Sequence, residues 1–205
     1  MQYKNVSVLH PREKRDELML AFFNTDIVGD EYAQIIGNFT AQLAAEHLED
    51  KDMGQGTVIS PILRAGAAMS NRLTKRLPEA ELTKISMRRN MQTLKPFVFR
   101  SELNSIQQPE GKRLILTDPA IATGGSLLQA IHLAKQNGFT EEHISIMAML
   151  GAPEGLAKLT KEHPAIKIHL AGMVDNIRPD GYFNPNVGDF GDRLFGVRKD
   201  YTSER

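Results

Sequence analysis

The sequence predicts an α/β fold, in which helices flank a mostly parallel central sheet. Short apolar runs alternate with segments of helical periodicity through the middle of the chain, which is typical of strand–helix units. The runs do not alternate with polar residues, which indicates strands covered on both faces. A stretch rich in glycine and proline then breaks this rhythm. We therefore predict one domain over residues 1–205, with a core at about 10–174 and a loop-rich lobe at about 175–198.

The first long helix is predicted over Asp30–Leu48, with Asp30 as its N-cap, because a short acidic side chain accepts from free first-turn amides. Its apolar stripe is expected to consist of Tyr32, Ile36, Phe39 and Leu43. Further helices are expected over Ala67–Arg76, Ser126–Asn137 and Glu154–Glu162. Strands are expected over Val58–Leu63, Leu82–Met87, Arg113–Thr117, Ile144–Leu150 and Ile166–Ala171. Phe97–Arg100 fits either a short strand or a loop arm, and Gly138 is expected to be left-handed behind a helix.

Composition excludes several kinds of protein. The 25 lysines and arginines balance the 25 aspartates and glutamates, so the chain lacks the basic excess with which nucleic-acid-binding proteins displace counterions. There is no cysteine, which excludes disulfides, thiolate catalysis and cysteine-based zinc sites. No apolar run has the length of a signal peptide or membrane span, so we predict no membrane partner and a cytoplasmic location. The six histidines form no close ligand pair and are predicted to be non-catalytic.

The motif with the clearest chemistry is Asp118–Ser126, DPAIATGGS, which lies between a predicted strand and a predicted helix. In an open parallel sheet, ligands bind beyond the carboxyl ends of the strands, where this loop lies. Its last four residues offer consecutive backbone amides beside a helix N-terminus, with little side-chain obstruction. A turn whose glycines serve geometry only is the alternative. The lysine of a Walker loop and the GxGxxG pattern are both absent. We predict a phosphate-binding loop.

This motif resembles the loop with which type I phosphoribosyltransferases bind 5-phosphoribosyl 1-pyrophosphate (PRPP). In most of that family two adjacent acids bind the ribose hydroxyls, whereas here the second position is Pro119. Asp-Pro continued as ATGGS is similar to the uracil phosphoribosyltransferase branch. The resemblance implies the type I phosphoribosyltransferase fold. The PRPP-binding residues that it implies in this loop are Asp118, Pro119, Ala120, Ile121, Ala122, Thr123, Gly124, Gly125 and Ser126.

Two shorter segments also match that branch. Pro61–Gly66, PILRAG, resembles its pyrophosphate loop. The glycine allows close backbone approach, and Arg64 is expected to pair with diphosphate oxygens through its planar fork. Ala152–Gly155 resembles a helix start of the family, which we interpret as structural.

The C-terminal lobe resembles the uracil-binding hood of the same branch, through GYFNPNVGDFGDR at Gly181–Arg193, followed by LFG. A flat, neutral pyrimidine needs an apolar slot with a few oriented polar groups. The uracil-binding residues implied by the resemblance are Tyr182, Phe183, Gly188, Asp189 and Phe190, with backbone groups of Phe183, Gly188 and Phe190 at the base edge. Asp189 matches an aspartate near the ribose and PRPP. Asp192 and Arg193 are expected to pair and hold the hood.

Some positions depart from the family pattern. The loop expected to cover PRPP is Arg88–Leu94, where Arg89 and Thr93 match but a tyrosine and two acids are replaced. In the hood, Asn184 replaces an aliphatic residue and Asn186 a glycine. Between Leu48 and Thr57 the chain has only a short turn, where family members carry a longer β-arm that packs against a partner subunit.

The resemblance implies transfer of the 5-phosphoribosyl group of PRPP to uracil, giving UMP and pyrophosphate. Asp118, Arg64, Arg89 and Asp189 are the implied catalytic residues, and Asp189 also contacts PRPP. Mg²⁺ is expected to arrive with PRPP rather than on ligands of the protein, and the expected assembly is a homodimer or higher homo-oligomer. Two alternatives are a non-catalytic sensor of PRPP or nucleotides on the same fold, and a paralogue that uses another base.

Overall fold

The computed structural model describes residues 3–9, 19–48, 54–89 and 96–196, with only the backbone described at residue 89. Its strands are β1 (Val6–Val8), β2 (Thr57–Leu63), β3 (Glu81–Leu82), β4 (Ile85–Arg89), β5 (Pro96–Ser101), β6 (Arg113–Thr117), β7 (Ala120–Ile121), β8 (Ile144–Gly151), β9 (Lys167–Met173), β10 (Asn176–Ile177) and β11 (Phe183–Asn184). Its α-helices are α1 (Gly29–His47), α2 (Ala67–Arg76), α3 (Gly125–Gln136), α4 (Pro153–Glu162) and α5 (Phe190–Leu194). Residues 19–23 are also helical, and Leu103–Ser105 and Glu141–His143 form 3₁₀ turns.

Within the described residues, the main sheet has nine strands and is parallel except at one pair. Its order is β1-β9-β8-β6-β2-β4-β5, with β3 paired to β2 and β7 paired to β8. Only β4 and β5 run antiparallel, with a register shift between Ser86 and Met87. At the centre, Pro61 of β2 lies opposite Thr117 of β6. The predicted mostly parallel α/β architecture is confirmed.

The central strands are buried on both faces, as their apolar runs predict. In β6, Leu114 and Leu116 face one apolar cluster while Ile115 faces the other. The first cluster includes α3 and α4 residues, and the second is covered by α1 and α2. The four predicted stripe residues of α1 have no solvent exposure. Burying each such side chain stabilises the fold by about 1.5–3 kcal/mol.

Most predicted elements occur with small changes at their ends. The helix over Ala67–Arg76 and the strand over Arg113–Thr117 have the predicted bounds. Phe97–Arg100 belongs to strand β5 rather than to a loop arm. The predicted strand Leu82–Met87 is in fact two strands, β3 and β4, separated by Thr83 and Lys84. Gly138 has a φ of 93°, which confirms its left-handed role.

Asp30 does not cap the first long helix, so that prediction was wrong. The helix begins one residue earlier at Gly29, whose φ is 66°, and its N-cap is Val28, which makes no side-chain capping bond. Asp30 and Glu31 lie in the first turn instead, where their charges interact favourably with the helix dipole.

The C-terminal lobe is an ordered hood in which loops surround two small elements. β10 and β11 form an antiparallel pair, with Ile177 opposite Phe183. The short helix α5 follows, and its first residue, Phe190, packs at 5.6 Å between ring centroids from Phe22 near the N-terminus. No helix in the described part of the chain combines the length and apolarity needed to cross a bilayer.

Candidate active site

Two loops meet at the carboxyl edge of the central strands. The turn Arg64–Gly66 follows β2, and the loop that starts at Asp118 follows β6, its hydrogen-bonded neighbour. The Thr117 hydroxyl donates to the carbonyl oxygen of Gly66 at 3.2 Å. This edge is where ligands bind in open parallel sheets, so the sheet itself brings the two predicted loops together.

The loop predicted to bind phosphate, Asp118–Ser126, is held by backbone hydrogen bonds to β8 and to Ala152. The carbonyl of Pro119 accepts from the amides of Met149 and Leu150 at 3.1 and 3.0 Å, and that of Ile121 accepts from Ala152 at 2.9 Å. Both residues are buried, and neither lines the cavity described below. In the structure they hold the loop in place, while the residues on either side of them face the cavity.

The tip of the loop leads directly into α3. Gly124 is the N-cap of this helix, with a φ of 75° that favours glycine. A Cβ on Gly155, in the first turn of α4, would stand 2.4 Å from the carbonyl oxygen of Ala122 and 3.0 Å from the amide nitrogen of Gly124. This close packing agrees with the structural interpretation of Ala152–Gly155: the glycine lets α4 support the back of the loop.

Asp118 places a carboxyl group in the cavity at the start of this loop. The residue keeps partial exposure, and its Oδ1 accepts from the amide of Ala120 at 3.3 Å. Burial raises the pKa of Asp118 to about 7, and the hydrogen bond from Ala120 acts in the opposite direction. The ligand-free protein therefore holds a carboxyl group whose charge is sensitive to pH near neutrality.

The hood is fixed by a buried arginine. Arg193 has no solvent exposure, and its guanidinium lies 3.8 Å from the ring centroid of Tyr32. It donates to four backbone carbonyls, those of Phe22, Asn24, Ile27 and Val187, at 2.6 to 3.2 Å. The expectation that Arg193 pairs with Asp192 to hold the hood needs correction: Arg193 ties the hood to the N-terminal segment through carbonyls.

Asp192 instead binds the pyrophosphate-loop arginine. Its Oδ1 lies 2.8 Å from Nη2 of Arg64, whose peptide bond to Leu63 is cis. Asp189 caps α5, since its Oδ1 accepts from the amide of Asp192 at 2.8 Å. Asp189 and Asp192 therefore have separate roles, one in the cap and one in an ion pair.

A cavity of about 520 Å³ joins the loops to the hood. It brings together most of the predicted site residues, namely Arg64, Asp118, Ala120, Ala122, Thr123, Gly124, Gly125, Ser126, Tyr182, Phe183, Gly188, Asp189 and Phe190. Arg89 ends β4, but its side chain and the predicted covering loop after it lie outside the described residues. Six other residues that line the cavity were not among the predicted site residues: Ala65, Leu127, Asp180, Gly181, Val187 and Gly191. Five of them are small or apolar and carry no chemical signal of their own, and nothing in the sequence sets Asp180 apart from the other acids of the lobe.

The lining of the cavity combines charged and apolar groups. The charged residues are Arg64, Asp118, Asp180 and Asp189, and Phe183, Val187 and Phe190 are buried apolar residues of the same lining. Gly188, with a φ of 73°, donates its amide to Oδ1 of Asn186 at 3.0 Å. No group of three or more histidine, aspartate or glutamate side chains is placed to hold a metal ion in the described ranges.

Known structures share this architecture. A solved protein of Aquifex aeolicus superposes with a TM-score of 0.84 at 21% identity, covering 95% of this chain and all of that one. The adenine phosphoribosyl transferase of Trypanosoma brucei, solved with AMP, pyrophosphate and ribose-5-phosphate, has a TM-score of 0.61 at 12% identity and covers 82% of this chain and 84% of its own. The fold is that of the type I phosphoribosyltransferases.

Sequence comparison is more specific. The family model for uracil phosphoribosyltransferase matches residues 32–197. The uracil phosphoribosyltransferase of Clostridium acetobutylicum is 41% identical over 145 residues, which are 71% of this chain and 68% of the relative. That of Limosilactobacillus reuteri is 38% identical over 146 residues, with the same coverage of both chains. From its fold, its loops and these matches, the chain belongs to the uracil phosphoribosyltransferase family.

Proposed function

We propose that the protein transfers the 5-phosphoribosyl group of PRPP to uracil, giving UMP and pyrophosphate. The observation that carries this proposal is the single cavity, which joins a phosphate-binding loop to an apolar hood. The reaction needs such an arrangement because it forms a bond between a sugar phosphate and a flat base. Family membership and relatives named uracil phosphoribosyltransferase support this choice of substrates.

The 5-phosphate of PRPP is assigned to the amides of Thr123–Ser126. Gly124 turns the backbone through its left-handed conformation, so that consecutive amides precede the first turn of α3. The dipole of a helix contributes only about 0.3–1 kcal/mol to binding an anion at its N-terminus. Several converging amides and the hydroxyls of Thr123 and Ser126 therefore supply most of the binding energy.

The ribose and the diphosphate are assigned to the two loops at the sheet edge. The C1′–O bond to diphosphate breaks, the bond from C1′ to a uracil ring nitrogen forms, and that nitrogen loses its proton. Positive charge develops on the sugar, and the Asp118 carboxylate is placed to stabilise it. Arg64 would receive the departing diphosphate through its remaining N–H groups. By resemblance, Arg89 assists it, and Asp189 orients the uracil anion near the ribose.

The residues of the cavity fit a Mg²⁺ ion that arrives with PRPP. Asp118 offers one carboxylate beside the ribose site, and the described residues contain no acidic cluster that would hold the ion alone. When bound, the ion supplies positive charge that offsets the charge of the diphosphate. The loops that follow β2 and β6 hold the substrate in position for the reaction.

Uracil is assigned to the hood. Phe183 and Phe190 are buried and pack edge to face at 6.2 Å between centroids, and Val187 adds a third apolar wall. Tyr182 is 42% exposed at the mouth of the cavity. The backbone of Phe183, Gly188 and Phe190 would read the polar edge of the base. Asn186 Oδ1 accepts the amide of Gly188 at 3.0 Å in the ligand-free protein, and uracil would compete with it for this donor.

A base panel tests this proposal. Purified protein is incubated with PRPP and Mg²⁺ and, separately, uracil, cytosine, orotate, adenine or hypoxanthine, and nucleotide products are quantified by chromatography. We expect UMP from uracil and at most traces from the others. Another nucleotide as the main product would support the paralogue, and no nucleotide with tight PRPP binding would support a sensor. Asp118→Asn is the matched site variant, which we expect to bind PRPP more weakly while keeping its fold.

The remaining assignments follow from the proposed reaction. The partners are the small molecules PRPP and uracil, with no nucleic acid and no membrane. We propose a cytoplasmic location and a homodimer or higher homo-oligomer. The chain is proposed to form one domain, which consists of the core and the base-binding hood. Size-exclusion chromatography with light scattering measures the assembly directly.

A further inference from the structure

One ion pair connects a loop of the core to the C-terminal hood. Arg64 follows β2 in the pyrophosphate loop, and Asp192 lies in α5 of the hood, 128 residues further along the chain. Their side chains meet at 2.8 Å between Nη2 and Oδ1. The contact therefore joins the loop assigned to diphosphate with the helix that carries Asp189 and Phe190.

The guanidinium of Arg64 packs against helix α5 at Gly191. A Cβ at Gly191 would stand 3.3 Å from Nη2 and 3.4 Å from Nε, so a glycine here leaves room for the arginine to lie against the helix. The ring of Phe195 lies 5.6 Å from the Arg64 guanidinium carbon, within the range of a cation–π contact. Gly191 thus leaves room for the Arg64 side chain, and Asp192 and Phe195 contact it.

The two partners differ in their exposure. The Asp192 side chain is 12% exposed and is absent from the cavity wall, whereas that of Arg64 is 57% exposed and lines the cavity. A guanidinium carries five N–H donors in a rigid fork, and the bond to Asp192 uses one nitrogen. Arg64 can therefore bind an anion in the cavity and Asp192 at the same time. The carboxylate of Asp192 is therefore linked to the cavity through Arg64.

We propose that Asp192 is a positioning residue that couples diphosphate binding to base binding through Arg64. A diphosphate that fixes Arg64 also fixes α5, because the arginine is bonded to that helix. The first residues of α5 form one wall of the base slot, so ordering the helix reduces the entropy lost when the base binds. By reciprocity, a base in the hood strengthens diphosphate binding by the same factor. This inference rests on the proposed function.

Calorimetry with a pair of ligands that do not react together tests the coupling. Uracil is titrated into the protein with and without saturating magnesium pyrophosphate. In the wild type we expect pyrophosphate to tighten uracil binding by about fivefold, the lower end of typical coupling between sites. In Asp192→Asn, which keeps the side-chain shape, we expect the factor to fall below about twofold. Glu102→Gln is the control. Glu102 does not line the cavity, and its carboxylate lies 3.3 Å from the ammonium of Lys84, so this variant should keep the wild-type factor.

A second variant keeps the test decisive if Asp192→Asn does not fold. Arg64→Lys changes a side chain that is more than half exposed and removes the planar fork while keeping the charge. Whatever its affinity for uracil alone, saturating pyrophosphate should tighten uracil binding by less than about twofold in this variant. Unchanged coupling in a folded Asp192→Asn or Arg64→Lys protein overturns the inference. So does a wild type that makes UMP but binds uracil equally with and without pyrophosphate. A wild type that makes no UMP and binds neither ligand overturns the proposed function as well.

Discussion

Gly66 lies so close to Thr117 that a Cβ at residue 66 would stand 2.3 Å from the Thr117 carbonyl oxygen. The same Cβ would be 2.9 Å from the carbonyl oxygen of Ile62. Both obstacles are backbone atoms of adjacent central strands, which cannot move aside as a flexible side chain can. This contact joins the pyrophosphate loop to the strand that leads into the phosphate-binding loop.

Gly66→Ala is therefore expected to destabilise the protein and impair the site. Forcing a methyl group into a filled space costs about 1–3 kcal/mol, and we expect the upper part of this range because backbone must shift. The free energy of unfolding from urea titration measures the cost. Gly37→Ala in α1 is the control, since a Cβ there meets nothing within 4 Å. That change should stabilise the helix by about 0.5–1 kcal/mol. Equal stability of the two variants would contradict the packing described.

The raised pKa of Asp118 predicts that PRPP binding releases a proton. Burial holds this pKa at about 7, above the ordinary 3.8, so much of the carboxyl group is protonated at pH 6 in the free protein. Bound ribose and Mg²⁺ favour the ionised form, so PRPP affinity should fall as the pH falls below about 7. Calorimetry at pH 6 in two buffers of different ionisation enthalpy counts the protons. The wild type should release close to one more proton than Asp118→Asn. Protons released by PRPP itself are the same in both titrations and cancel in this difference.

The raised pKa of Asp118 also makes the free energy of unfolding depend on pH. A carboxyl group whose pKa is higher in the folded protein than in the unfolded chain favours folding at low pH and opposes it once ionised. The contribution of Asp118 is therefore least unfavourable below pH 3.8 and most unfavourable above about pH 7. Asp118→Asn removes this charge, so its gain in unfolding free energy over the wild type should grow between pH 5 and pH 8. A pH-independent difference would contradict the shift.

Asn186 is expected to limit base affinity. Its Oδ1 accepts the amide of Gly188, which the proposed reaction assigns to the edge of uracil. Asn186→Gly frees that amide to donate to uracil. One net hydrogen bond contributes about 0.5–1.5 kcal/mol, so the KM for uracil should be about 2- to 10-fold lower in the variant. Asn184→Ala, which breaks the exposed 3.1 Å bond to Asn176, is the control and should leave KM unchanged. A KM that stays constant or rises in Asn186→Gly would show that the amide does not read the base.

Arg193 is expected to be the most sensitive residue of the hood. Arg193→Met would leave four backbone carbonyls without their guanidinium donor, and the bonds to Phe22 and Val187 are fully buried. Each buried acceptor left unsatisfied costs about 1–3 kcal/mol. Thermal unfolding followed by circular dichroism measures the loss. Arg72→Met on the exposed face of α2 is the matched control and should change stability by no more than about 0.5 kcal/mol. A small effect at both positions would mean that the four bonds do not hold the hood.

Local patterns predicted the elements and the loops well. The apolar period of α2 and the apolar run of β6 each depend on a few neighbouring residues, and both elements have their predicted bounds. The loop between β6 and α3 was predictable because its glycines, its acid and the flanking elements are contiguous, and its binding of phosphate stays a prediction. The left-handed Gly124 at the start of α3 follows from the same short motif.

Tertiary partners were not predictable in this way. Arg193 was expected to use its neighbour Asp192, but it donates to carbonyls as distant as Phe22, which only the packed fold brings near. Asp192 in turn binds Arg64, far away in sequence. Strand β1 was missed because three partly buried residues at the edge of a sheet show too little pattern, and its pairing with β9 depends on the completed core.

Phosphorus NMR of the complete reaction follows both products of the proposed transfer in one sample. The protein is incubated with PRPP and Mg²⁺, and spectra are recorded before and after uracil is added. The PRPP signals should persist until uracil is present. They should then be replaced by the signals of UMP and pyrophosphate in equal amounts, with Asp118→Asn converting far more slowly. PRPP that stays intact with saturating uracil, or that is lost at the same rate without it, would rule out the proposed transfer.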